Sequence, residues 1–99
     1  MGLSIEFRPR AEQDLEDIWN YTVTRWSAEQ AILYLEGLKA AVDLLAEFPE
    51  MARLRSEFQP VVRLHPVREH MVVYIAHETV LEVVRVVHTR SNWSAVLTE

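Results

Sequence analysis

Cysteine is absent from this sequence and lysine nearly so: Lys39 stands alone beside nine arginines. Without cysteine there is no disulfide, no thiolate nucleophile and no thiolate metal ligand, a composition that fits a reducing cytoplasm. An excess of positive charge is missing too. Ten basic residues face fifteen acidic ones, for a formal charge of −5 and a pI near 5.3. Proteins that grip DNA or RNA draw most of their affinity from phosphate contacts, so a generally nucleic-acid-binding surface is excluded, while a local arginine patch is not. No apolar run approaches the ~20 residues that cross a bilayer, and the N-terminal segment has no signal-peptide hydrophobic region. A soluble cytoplasmic protein with no membrane association is expected.

What is present is ordinary globular material, 99 residues at 49% hydrophobic and 25% charged, enough for a single domain over 1–99. Leu3, Ile5 and Phe7 alternate with Ser4 and Glu6, which predicts a short half-buried strand. Pro9 suits a first helical position, and Glu12, Asp14, Glu16 and Asp17 fill the early turns, where negative charge favours the helix dipole. Leu15, Ile18, Trp19, Thr22 and Trp26 recur at helical spacing, predicting a helix over 9–25. Ser27 followed by Gln30 has the form of a capping box. Ile32, Leu35, Leu38, Val42 and Leu45 then form the apolar stripe of a second helix, and so short a connection makes the pair an antiparallel hairpin. Gly37 within it is expected to mark a close helix–helix contact. Residues 49–60 read as a loop. Strands are predicted at 61–65, 71–76 and 80–88, the last two joined by a tight turn at His77-Glu-Thr79, with a short tail or helical turn from Ser91. The order is β-α-α-β-β-β, an α+β fold with the helical hairpin packed on one face of a small antiparallel sheet.

Two helices cover only one face of such a sheet, and a strand with a wet face should alternate apolar and polar residues. Met71 to Ile75 does not alternate, and in 80–87 the two polar residues, Glu82 and Arg85, fall on opposite faces. The second face is too apolar for water, so either a partner covers it or the 49–60 loop and the tail fold across it. The partner is the favoured reading, with Val72, Tyr74, Val84 and Val86 as its candidate contacts.

Chemistry-bearing constellations are sparse. His65, His70, His77 and His88 match no metal-binding spacing and read as unrelated residues, so no metal or cofactor is implied. No carboxylate pair sits in an evident cleft, and no serine occupies a nucleophile elbow. Arg53, Arg55, Arg63, Arg68, Arg85 and Arg90 all lie in the C-terminal half, where a metal-free ribonuclease would need arginines for the phosphorane charge and His88 for one proton transfer. A second acid–base residue is not evident.

Several local strings carry more. Phe7-Arg-Pro-Arg-Ala11 leads into Asp14-Leu-Glu-Asp-Ile-Trp-Asn-Tyr21. Leu44-Leu-Ala-Glu-Phe-Pro-Glu-Met51 follows, then Val62-Arg-Leu-His-Pro-Val67 ahead of Tyr74, then Glu82-Val-Val-Arg-Val-Val-His88 and Arg90. In this order the set resembles the ParE toxins of the ParE/RelE superfamily, the toxin half of bacterial type II toxin–antitoxin pairs, over nearly the whole chain. The resemblance implies a helical hairpin on a small antiparallel sheet. It also implies growth arrest by inhibition of DNA gyrase rather than by catalysis, and neutralisation in a hetero-oligomer with a ParD-like ribbon–helix–helix antitoxin. DNA would be contacted only through that antitoxin. RelE-type relatives instead cut mRNA on the ribosome and are strongly basic, so the acidic pI fits the gyrase branch better. Matching positions point to Arg63, His88 and Arg90 as catalytic candidates in the mRNA-cutting alternative, and to Arg68, Arg90 and Trp93 as target contacts. A non-toxic antitoxin-binding module is the third reading. One departure stands out: relatives commonly carry Val-Gly-Arg where this chain has Val67-Arg68-Glu69.

Overall fold

The computed structural model describes residues 2–97. Strand β1 (Ser4–Phe7) leads through Arg8 into helix α1 (Pro9–Arg25), and α2 (Ala28–Glu47) follows after a two-residue turn. Strands β2 (Leu54–Arg55), β3 (Val62–Val67), β4 (His70–Ala76) and β5 (Val80–His88) and a short helix α3 (Trp93–Leu97) complete the chain. Among the described residues no helix is long and apolar enough to cross a membrane.

Local chemistry explains the helices. Pro9 occupies the first turn of α1 with Glu12 beside it, and Arg25 lies in the last turn, so both ends suit the macrodipole. Ser27 caps α2, its Oγ accepting the Gln30 backbone N–H at 3.1 Å. The buried stripe of α2 is Ala31, Leu38, Val42, Leu45 and Ala46. Ile32, expected in that stripe, is 48% exposed, and Trp26 after α1 is 71% exposed. Gly37 is not at a helix–helix contact, since a Cβ there would meet nothing within 4 Å.

The sheet has the order β1-β5-β4-β3-β2. Three of its pairings are antiparallel, but β1 runs parallel to β5, Ser4 opposite Val80 and Phe7 opposite Val83, so the sheet is mixed. Strand direction leaves no trace in an alternating pattern, which is why four residues read as a strand gave no hint of a parallel partner. β2 is a two-residue strand inside the segment read as a loop, too short for any periodicity.

The hairpin packs on one face of the sheet. Ala11, Ile18, Leu38, Val42 and Leu45 meet Val72, Tyr74, Leu81, Val83 and Val86 there. Each large aliphatic closed off this way contributes about 1.5–3 kcal/mol. Tyr74, fully buried, donates its hydroxyl proton to the Pro49 carbonyl at 2.8 Å, which fastens the chain leaving α2 to the centre of the sheet.

The opposite face is covered by the chain itself. Phe58, Val62, Leu64, Val73 and Val87 form a second buried cluster, against which Met71, Ile75, Val84, Trp93, Val96 and Leu97 pack. The 50–60 segment and the C-terminal tail thus do what a partner was expected to do. Val72, Tyr74 and Val86 lie under the helices, at 0%, 0% and 4% exposure, and are out of reach of any partner. Of the four proposed antitoxin contacts only Val84 sits on the outer face, half-buried.

Candidate functional site

The misassignment of Val86 has a local cause. From the turn outward, β5 pairs with β4 in a constant register: Leu81 with Ala76, Glu82 with Ile75, Val83 with Tyr74. The next pair is Arg85 with Val73, and the register is then constant again to His88 opposite His70. One residue, Val84, is extra on β5, a β-bulge. Because side chains alternate with period two, the extra residue reverses which face every later β5 residue takes. Val86 therefore joins Leu81 and Val83 under the helices, and His88 comes onto the same pair as His70 rather than one position past it.

An acid on α1 holds this irregular stretch. β1 ends at Phe7, and its ladder closes with the Arg8 N–H donating to the Val83 carbonyl at 3.0 Å. Beyond that point the edge of β5 has no strand beside it. Asp14 takes the place of one. Its carboxylate accepts the Val86 backbone N–H at 2.9 Å and two bonds from the Arg85 guanidinium, at 2.7 and 3.0 Å. Both side chains are mostly buried, 12% exposed for Asp14 and 17% for Arg85. Charge-assisted bonds from two planar groups are the strong kind. Asp14, read from sequence as one of the early-turn acids that favour the helix dipole, is a structural anchor.

Past the anchor, three rings from three elements meet. The His70 and His88 rings stand edge to face with centroids 5.1 Å apart, and the Tyr34 ring from α2 meets His70 in the same way at 5.4 Å. Tyr34 Oη lies 2.5 Å from His70 Nδ1. The Arg90 backbone N–H donates to His88 Nδ1 at 3.0 Å, so Nδ1 is unprotonated and neutral His88 carries its proton on Nε2. Burial, followed by the nearby His88, pushes the His70 pKa below its usual 6.5. With the Tyr34 hydroxyl as the donor of that bond, neutral His70 accepts at Nδ1 and keeps its proton on Nε2. Burial raises the Tyr34 phenol above 10.0, consistent with its role as donor.

Arg68 completes the cluster. It is the first of two residues between β3 and β4, Val67 pairing directly with His70. Its φ of 56° is in the left-handed region, where a Cβ is strained and glycine is not. This is the position at which the resemblance leads one to expect glycine, so the chain accepts backbone strain to place a cation there. The guanidinium sits 5.9 Å from the Tyr34 ring centre. Together with Arg25 and Trp26 at the end of α1, these residues line an open groove of about 780 Å³. Arg90 lies on its rim, and Asp14 and Val86 lie at its floor.

The residues singled out from sequence are divided by the structure. Arg68, His88 and Arg90 share this groove. Arg63 does not: it pairs with Tyr74, four positions along β4 from His70, roughly 13 Å at the rise of a strand. Its guanidinium donates to the Ala52 carbonyl at 2.6 Å and so holds the loop after α2. Arg63, His88 and Arg90 are therefore not one catalytic set. Trp93 is on the other face of the sheet, where the Arg55 guanidinium stands over both aromatic rings, 5.7 Å from Phe58 and 5.4 Å from Trp93. Tyr34 and His70 were missed. Tyr34 reads as one more apolar position of α2, and the histidine pairing depends on a bulge with no signature in the sequence.

Comparison with known proteins places the chain. Residues 5–93 match the family described as the ParE toxin of the type II toxin–antitoxin system parDE. The chain belongs to the ParE toxin family. It is 37% identical over 85 residues to Toxin ParE1 of Mycobacterium tuberculosis strain H37Rv, an alignment that spans 85% of this chain and 87% of that one. To Toxin ParE1 of Caulobacter vibrioides it is 36% identical over 88 residues, 89% of this chain and 91% of the relative. A solved structure described as the chromosomal ParDE TA system from P. aeruginosa superposes with a TM-score of 0.75, covering 87% of this chain and 95% of that chain. At 17% identity that likeness speaks for the fold alone, two helices on a five-stranded sheet. The toxin thus has its family's architecture, with arginine where the turn before β4 favours glycine.

Proposed function

We propose that this ParE-family toxin arrests growth in the cytoplasm by inhibiting DNA gyrase, and that a co-encoded ParD-like antitoxin with a ribbon–helix–helix domain holds it inactive. The family match over residues 5–93 carries the reading. Charge supports it: at −5 the toxin is not drawn to nucleic acid as such, and DNA is reached through gyrase on one side and the antitoxin on the other. The target meets the end of the sheet where Arg68 and Arg90 are exposed, and Trp93 on the outer face extends that surface. The antitoxin lies along the outer side, over Val84, α3 and the exposed apolar residues after α2, such as Phe48, Met51 and Leu54.

The deciding experiment measures DNA supercoiling by purified gyrase with and without the toxin. Inhibition should be dose-dependent, relieved by the antitoxin, and weakened in Arg68→Ala and Arg90→Ala. Growth arrest with supercoiling unaffected at equimolar and higher toxin would end the gyrase reading while leaving family membership intact.

A further inference from the structure

The arginines of this chain divide by what they hold. Arg8, Arg55 and Arg85 pair with carboxylates, and Arg63 bonds a backbone carbonyl. Arg10, Arg25, Arg53, Arg68 and Arg90 have no carboxylate within salt-bridge distance among the described residues, although acids outnumber bases in the chain. Three of these five, Arg25, Arg68 and Arg90, line the same groove. Of the three acids in that groove, Asp14 is held by Arg85 and the Val86 N–H, which leaves Asp17, bonded only to the neutral Gln13 amide at 2.9 Å, and Glu69 as opposing charges against three arginines. The two imidazoles add donors, because each has Nδ1 occupied as an acceptor and only Nε2–H left for a ligand.

We propose that this groove binds a nucleoside monophosphate, its phosphate among Arg68, Arg90 and the Nε2–H groups of His70 and His88, its base against Trp26 and Tyr21. Three features choose this ligand. Two guanidiniums and two imidazole donors exceed what the two oxygens of one carboxylate accept, whereas a phosphate monoester offers three oxygens and up to two charges. Tyr21 and Trp26 are 62% and 71% exposed at the rim, open faces on which a base stacks. The volume of about 780 Å³ is of small-molecule size, and the net charge of −5 disfavours a long polyanion more than a single nucleotide. The inference does not rest on gyrase as the target, and its test contains no topoisomerase.

The full chain, made by cell-free synthesis to avoid toxicity, is titrated with the four ribonucleoside 5′-monophosphates, their nucleosides, inorganic phosphate and a short single-stranded oligonucleotide. Histidine-ring and backbone NMR signals report the site. At least one monophosphate should saturate below about 1 mM, shift His70 and His88 together, and bind about tenfold tighter than either its nucleoside or inorganic phosphate. Arg90→Ala, on the exposed tail where folding is not at stake, should weaken binding about tenfold, as should Arg68→Ala. Arg53→Ala, exposed in the loop after α2, should change nothing. The proposal is overturned by equal binding of inorganic phosphate, by equal binding of the nucleosides, by tighter binding of the oligonucleotide, or by no saturation at all.

Discussion

The two faces of this sheet are built from the same three aliphatic strands and closed in different ways. On one face, two long helices bring Ala11, Leu45 and their neighbours to zero exposure against Val72, Tyr74, Leu81 and Val83. On the other, Phe58 and a five-residue helix cover Val62, Leu64, Val73 and Val87, and no residue of that helix is itself buried. The difference is one of cover, not of hydrophobicity. A 20-residue amphipathic helix satisfies its own backbone and presents a full apolar stripe, whereas a single turn contributes one or two side chains and frays easily. The outer cover depends instead on Arg55 standing over Phe58 and Trp93. A toxin that is to be gripped by a partner is more easily remodelled on the second face than on the first.

The comparison is broken most sharply from the closed side. Leu45→Ala should cost about 3–4 kcal/mol in urea unfolding, since a fully enclosed leucine leaves a cavity that rigid helices cannot refill. Asp14→Ala comes next, at about 2–3 kcal/mol, because it strands Arg85 and the Val86 N–H and releases the bulge that assigns β5 residues to the two faces. Cross-strand NMR contacts between His70 and His88 should weaken in the same variant. Trp93→Ala should cost only about 1 kcal/mol while increasing binding of a hydrophobic dye, the reverse ranking of the two faces for surface exposure. Equal losses for Leu45→Ala and Trp93→Ala would show that the outer cover is as firm as the inner one.

Smaller effects sharpen the picture at the groove. Arg68→Gly should raise stability by about 0.5–1 kcal/mol by relieving the positive φ, while weakening whatever that cation binds. The smallest is a pH effect. Because the His70 pKa is depressed from 6.5 in the folded state, the unfolded chain takes up its proton first as pH falls, so stability declines from about pH 6.5 down to the folded pKa and the loss then stays constant. Above that range it contributes no slope. His70→Gln should flatten the stability profile between pH 6.5 and the folded pKa, read by thermal melts across that range.

Much of the frame was legible in the residues. The α1 boundaries at Pro9 and Arg25, the Ser27 cap and the strand ends at Ala76 and His88 all follow from short-range periodicity and turn chemistry. The errors cluster where a contact joins residues far apart. Asp14 meets Val86 across 72 positions, and Tyr34 meets His70 across 36. Arg63 was placed with His88 by matching positions in the family, and β4 holds them apart. Val86 was placed on the outer face with Val84 because they are two apart on β5, a count that the inserted residue Val84 invalidates; Val72 and Tyr74, on regular β4, were simply given the wrong one of two apolar faces.

The sequence by itself determined the long elements, their order, the hairpin of helices and the family, though not the two-residue β2, because these rest on local propensity, apolar spacing and strings of residues read in order. Tertiary structure alone decided that β1 runs parallel to β5, that the tail and Phe58 close the outer face, and that the bulge pairs His70 with His88. Each of these is a choice among packings of similar local energy. It is settled by partners such as Asp14 and Tyr34 that become neighbours only once the chain has folded.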